Sequence, residues 1–119
     1  MTLIKVSEEI RNLIAELQQY KDSLAKYSED KVQAEAEYEK ELAKTILSLK
    51  NGGEHELEGE KIKNPPVTII EKISKGLCWE QKLKMDKADQ TARNNMAKIE
   101  ITKAQLNAYQ SINKNLDEI

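Results

Sequence analysis

SEEIRNLIAELQQYKDSLAKY, Ser7 to Tyr27, decides the fold. Ile10, Leu13, Leu17, Tyr20, Leu24 and Tyr27 recur in it on alternating steps of three and four, which lays one apolar stripe along a helix and reads as a heptad seam. Ser7 supplies an N-cap oxygen, and Glu8 and Glu9 put carboxylates in the first turn, where the helix dipole favours them. Toward the C-terminus the seam weakens through Lys31 and Ala34, then resumes at Tyr38, Leu42, Ile46 and Leu49 largely by steps of four, a stutter that locally unwinds a supercoil. Asn51-Gly52-Gly53 ends the helix, because a glycine in the left-handed region satisfies the last free carbonyls.

A second frame begins beyond the break. Met85, Ala88, Ala92, Ile99, Leu106, Tyr109 and Leu116 keep heptad spacing, with Asn95, Thr102 and Asn113 at the remaining seam positions, where polar groups weaken a seam but fix its register. Between the two frames, Glu54 to Lys63 is charged with only Leu57 and Ile62 apolar. Glu58-Gly59 has the chemistry of a tight turn in a small strand pair, but a solvated loop is the expectation. Pro65-Pro66 forces an extended entry, Thr68 and Glu71 have capping-box spacing, and Val67, Ile70 and Ile73 share one face of a short helix that Gly76 ends or kinks. The reading is one all-α domain, an antiparallel coiled-coil hairpin of two long helices with a short helix after the central loop. Its elements are a helix at about 7–50, a loop at 51–66, a short helix at about 67–75 and a long helix at about 78–117.

Composition agrees with a narrow core. Of 119 residues 34% are charged and 39% hydrophobic, and the five aromatics are four Tyr and one Trp, with no Phe, so Leu, Ile and Ala must carry the packing. Residues 1–59 hold 8 basic and 13 acidic groups, net -5, and residues 60–119 hold 11 and 8, net +3. Opposite halves suit two segments lying side by side. If the helices fold back antiparallel, Glu29, Asp30, Glu35, Glu37, Glu39 and Glu41 fall beside Lys75, Lys82, Lys84 and Lys87, and such exposed pairs select alignment more than they stabilise it. The balance of acid and base disfavours nucleic acid as a partner. A single cysteine excludes an internal disulfide, and no apolar run has the length of a membrane span or signal-peptide core, so the expectation is a cytoplasmic protein.

Little in the chain resembles a chemical site, and neither catalysis nor a cofactor is expected. His55, between Glu54 and Glu56 in the glycine-bounded loop, lacks a second histidine or thiolate in register and reads as a solvated loop residue. Cys78 has no nearby histidine in sequence and reads as a buried structural thiol. Trp79 has two readings: with Leu77, and ringed by Lys75, Lys82 and Lys84, it is an anchor for a partner's pocket; as a structural residue it closes a small core of Ile69, Ile70 and Ile73, and this second reading carries more weight. Ile14, Val32, Leu47, Met96, Ile101 and Ile112 fall outside the seam and widen each apolar face, so a partner protein or a dimer is expected to cover them. The acidic run from Glu29 to Glu41 is the other candidate partner surface.

The long amphipathic helix, charged break, Pro65-Pro66 entry and second helix ending in KAQLNAYQSI, Lys103 to Ile112, resemble the small coiled-coil proteins of phages and prophages of Gram-positive bacteria. That resemblance implies a phage-encoded protein of the host cytoplasm, either an inhibitor of a host defence protein acting by occlusion or an accessory factor of phage DNA metabolism. In length and helix-loop-helix layout the chain is also similar to the prefoldin beta subunit, which implies a helical chaperone; Pro65-Pro66 and the charged 54–63 stretch stand where that family has an apolar strand pair.

Overall fold

The computed structural model describes residues 2–117. Its order is α1 (Leu3–Lys50), β1 (His55–Leu57), β2 (Glu60–Ile62), a 3-10 turn (Val67–Ile69), α2 (Ile70–Leu77) and α3 (Trp79–Asp117). The chain is mostly helical, and α1 and α3 run antiparallel, as the spacing predicts. It divides into two units. One joins α1 up to Ser28 with α3 from Gln90 onward; the other spans Glu29 to Asp89.

Burial along α3 follows the heptad. Cys78, immediately before α3, and Gln81, Met85, Ala88, Ala92, Asn95, Ile99, Thr102, Leu106, Tyr109, Asn113 and Leu116 within it are buried or half-buried, so the polar seam positions face inward as expected. In the first unit Val6, Leu13 and Ile99 are buried, together with Asn95 and Thr102. Asn95 is satisfied across the pair: its Nδ2 donates to the Tyr20 carbonyl oxygen of α1 at 3.0 Å. A buried amide that must find one particular carbonyl sets the register of two helices more tightly than an apolar contact, which tolerates sliding. Asn95→Asp therefore tests the lock. The carboxylate is nearly isosteric but cannot donate to the carbonyl, and at 5% exposure it is also desolvated. The expected loss is about 2 kcal/mol at neutral pH in urea titration. Burial raises the folded-state pKa of the new carboxyl, so the loss should shrink as pH falls through that value and the group can donate again.

The start of α1 differs from the sequence reading. The helix begins at Leu3, so Ser7 lies inside it and is no cap; the Thr2 hydroxyl accepts from the Lys5 amide at 3.3 Å instead. Val6 explains the extension, since at 0% exposure it adds one more layer to the seam. Leu24 is a second departure. It is 37% exposed, while Ser23 is half-buried.

In the second unit the seam runs as spaced through half-buried Tyr38, Leu42 and Ile46 to buried Leu49, with buried Thr45 added to it. Lys31 is half-buried and Ala34 is buried. Threonine is accommodated because its hydroxyl donates to the Glu41 carbonyl at 2.8 Å, leaving Oγ1 as acceptor for the Cys78 thiol at 3.5 Å. Lys31 is accommodated by carrying its ammonium out to Asp89 at 3.2 Å.

α1 ends as its glycines predict. The Gly53 amide donates to Ser48 O at 2.8 Å and the Gly52 amide to Leu49 O at 3.3 Å, with Gly52 at φ +82°, the bond pair of a Schellman motif. The loop expected at 51–66 is in part a hairpin. β1 and β2 pair antiparallel, His55 with Ile62 and Leu57 with Glu60, around Glu58 at φ +50° and Gly59 at φ +82°. Two positive φ values make a type I′ turn, whose twist matches that of the strands. Such a short ribbon is marginal alone. It is supported from two sides, by a 2.9 Å hydrogen bond between His55 Nε2 and Ser48 Oγ of α1, and by Leu57, whose Cδ2 lies 3.8 Å from where a Cβ on Gly76 of α2 would sit. His55 is thus a half-buried strut and no solvated loop residue.

Pro66 is extended at φ -53°, ψ 139° and opens the 3-10 turn, but neither that turn nor α2 carries a side-chain cap, so Thr68 and Glu71 form no capping box. Ile70 is buried and Ile73 half-buried, whereas Val67 is 78% exposed and leaves the face assigned to it. The chain breaks at Cys78, φ -94°, ψ 24°, two residues after Gly76. The break is slight. Cys78 N still donates to Ser74 O and Lys82 N to Cys78 O, each at 3.0 Å.

Candidate functional site

Both candidate partner surfaces of the second unit can now be built from their side chains. The acidic run lies on α1. Glu37 accepts from Lys84 at 2.9 Å and from Gln33 at 3.4 Å, and the Lys84 hydrogen bond and charge hold its carboxyl below the usual carboxylate range. Glu41 meets Lys44 at 3.8 Å. Glu29, Asp30, Glu35 and Glu39 make no ion pair among the described residues. Between them Val32 is 64% exposed, and Ala36 and Ala43 are exposed on the same outer stripe, which runs 29, 32, 36, 39, 43 on steps of three and four. α1 therefore carries a second, narrower seam of two acidic and three small or apolar residues.

The basic ring around Trp79 is largely neutralised. Lys75 pairs with Glu71 at 3.3 Å, Lys82 with Asp86 at 3.2 Å, and Lys84 with Glu37; Lys82 also lies 5.7 Å from the Tyr38 ring centroid. Trp79 itself is 54% exposed and does not close a core of Ile69, Ile70 and Ile73. Buried Cys78 occupies the inward position next to it, which turns the indole outward one residue later along the helix. Leu77 is half-buried, so it is not the neighbour that flanks Trp79 at the surface. Leu83 is. Trp79, Glu80, Leu83, Lys84 and Lys87 line an open groove of about 340 Å³. Leu83 and Glu80 have no place in the sequence reading and Lys87 enters it only as a charge facing the acidic run, although a step of four from Trp79 to Leu83 and from Leu83 to Lys87 is legible once the indole is known to face out.

In the first unit, Ile14, Met96, Ile101 and Ile112 are exposed, at 51%, 45%, 59% and 39%. Singly exposed aliphatics of this kind are ordinary on a protein surface. The concave feature there is polar: a groove of about 300 Å³ with Tyr20 and Tyr27 on α1 facing Thr91, Asn94 and Lys98 on α3, Lys98 Nζ being 5.7 Å from the Tyr20 ring centroid. Half-buried Ser23 is the side chain that leaves this space unfilled.

Cys78 is buried, as expected of a structural thiol. Among the described residues no group of three or more His, Cys, Asp or Glu side chains is placed to hold a metal ion, and no helix is long and apolar enough to cross a membrane. Comparison with known proteins gives no match: no family model, no curated protein and no solved structure aligns with the chain.

Proposed function

We propose that the protein is a non-enzymatic interaction module that binds a basic surface of a partner protein through the outer face of α1 between Glu29 and Ala43, and acts by covering that surface. The observation that carries this reading is the uncompensated charge of Glu29, Asp30, Glu35 and Glu39 around exposed Val32, in a run where only Glu37 and Glu41 meet a lysine. Acid flanking an apolar ridge gives a partner both long-range steering and a desolvated contact. Lys75, Lys82 and Lys84 around Trp79 are each engaged in an internal pair, which argues against a phosphate-binding surface there. On the resemblance to phage coiled-coil proteins, the partner is a host protein and the result is inhibition by occlusion.

The test is affinity capture from lysogenic or infected cells, followed by titration of the recovered protein. The triple variant Glu29→Lys, Asp30→Lys, Glu39→Lys should weaken binding about 100-fold, and wild-type binding should fall with rising salt. A complex indifferent to both ends the proposal. A gel-shift titration on single- and double-stranded DNA should show no salt-sensitive shift; a shift that fades with salt would favour an accessory protein of DNA metabolism instead.

A further inference from the structure

We infer that the Trp79–Leu83–Lys87 face of α3 docks against the same face of a second copy of this chain, the two helices crossing antiparallel about a two-fold axis near Leu83. The inference is independent of the partner proposed for α1.

Trp79, Leu83 and Lys87 form one ridge of the kind that follows every fourth residue, and Glu80 and Lys84 begin the next; the groove lies between them. A groove between two such ridges accepts an identical ridge from another helix, the commonest way two helices pack in globular proteins. The apolar content is right for a contact. Trp79 is 54% and Leu83 46% exposed, and Lys84 contributes mainly its stem, because its ammonium is held by Glu37 at 2.9 Å.

Two groove charges then remain without an ion pair among the described residues, Glu80 and Lys87. They are opposite in sign and seven residues apart, two turns or about 10.5 Å along the axis. That arrangement is self-complementary in one orientation. A two-fold axis perpendicular to the helix places Glu80 of each copy against Lys87 of the other, whereas parallel pairing sets Glu80 on Glu80 and Lys87 on Lys87. Charge thus selects both the occupant and its direction: a heterologous partner need not carry this pattern, but a second copy carries it by construction.

Sedimentation velocity over a concentration series tests the inference directly. Wild-type chain should be dimeric at the upper end, and Leu83→Glu should raise the dissociation constant at least about 100-fold. Glu80→Lys and Lys87→Glu should each raise it about 10-fold, and the double swap should restore it. Leu83→Cys, near the axis, should form an intermolecular disulfide on mild oxidation, Cys78 being buried. A wild-type chain that stays monomeric, a dimer that survives Leu83→Glu, a double swap that fails to restore, or a Leu83→Cys chain that does not cross-link each overturns it. The triple acidic variant of α1 should remain dimeric, so failure of one proposal is visible apart from the other.

Discussion

Leu49→Ala is expected to lower the unfolding free energy by about 3 kcal/mol, seen as a shift of the urea midpoint with little change in slope. Leu49 is 2% exposed and is among the largest fully buried side chains of the chain. The second unit's buried set is otherwise short in bulk, being Ala34, Thr45, Ile70, Ser74 and Cys78. In so thin a core few neighbours can relax into the vacated space, so the cavity cost adds to the lost transfer energy. Leu47→Ala is the internal control. Leu47 is 61% exposed on the same helix, two residues away, and the same truncation there should cost under about 0.5 kcal/mol. Equal effects at the two positions would mean that the last turn of α1 is not packed as described.

Gly53→Ala should cost a similar amount, about 3 kcal/mol, for an unrelated reason. A Cβ at Gly53 would lie 2.8 Å from Ser48 O and 3.2 Å from Ser48 C, and would collide with Ser48 Oγ. Two of those atoms are backbone. The Gly53 amide donates to that same carbonyl, so the chain cannot shift without losing the bond that ends α1. Ser48 Oγ is also the partner of His55, which couples the helix end to the hairpin. Gly52→Ala is milder, about 1 kcal/mol: its φ of +82° strains any other residue, but the nearest atom to a Cβ there is Asn64 Oδ1 at 3.4 Å. Thermal melts of the two variants rank the effects. Ser48→Ala should not rescue Gly53→Ala, because the carbonyl remains; full rescue would place the obstacle in the Ser48 side chain alone.

Much of the fold was legible because helices announce themselves locally. Spacing alone places Asn95, Thr102 and Asn113 in the seam, and they do face inward. The Asn51-Gly52-Gly53 stop is equally readable, since glycine takes left-handed backbone without strain. Reading failed where two local signals competed. Thr45 beside Ile46 shows it: hydropathy favours isoleucine, but the threonine hydroxyl is satisfied by the preceding turn, so the seam takes threonine at no polar cost. Charge from Glu54 to Lys63 favours a loop over the strand pair that Glu58-Gly59 also suggests, yet those turn residues supply two positive φ values and the ribbon is braced by Ser48 of α1 and by α2, which its own composition does not show.

The candidate surfaces were half legible. The acidic run of α1 and the oddity of Trp79 stand out in composition, but which charges remain free does not. Lys84 pairs across 47 residues with Glu37, while Glu29, Asp30 and Glu39 find no cation among the described residues. Periodicity and turn chemistry are short-range properties of the chain, so the sequence by itself determined two antiparallel helices, their polar seam positions and the glycine stop between them. Only the tertiary structure decided which way Trp79 faces, which lysines are neutralised and what braces His55, because each depends on where a residue from another element comes to lie.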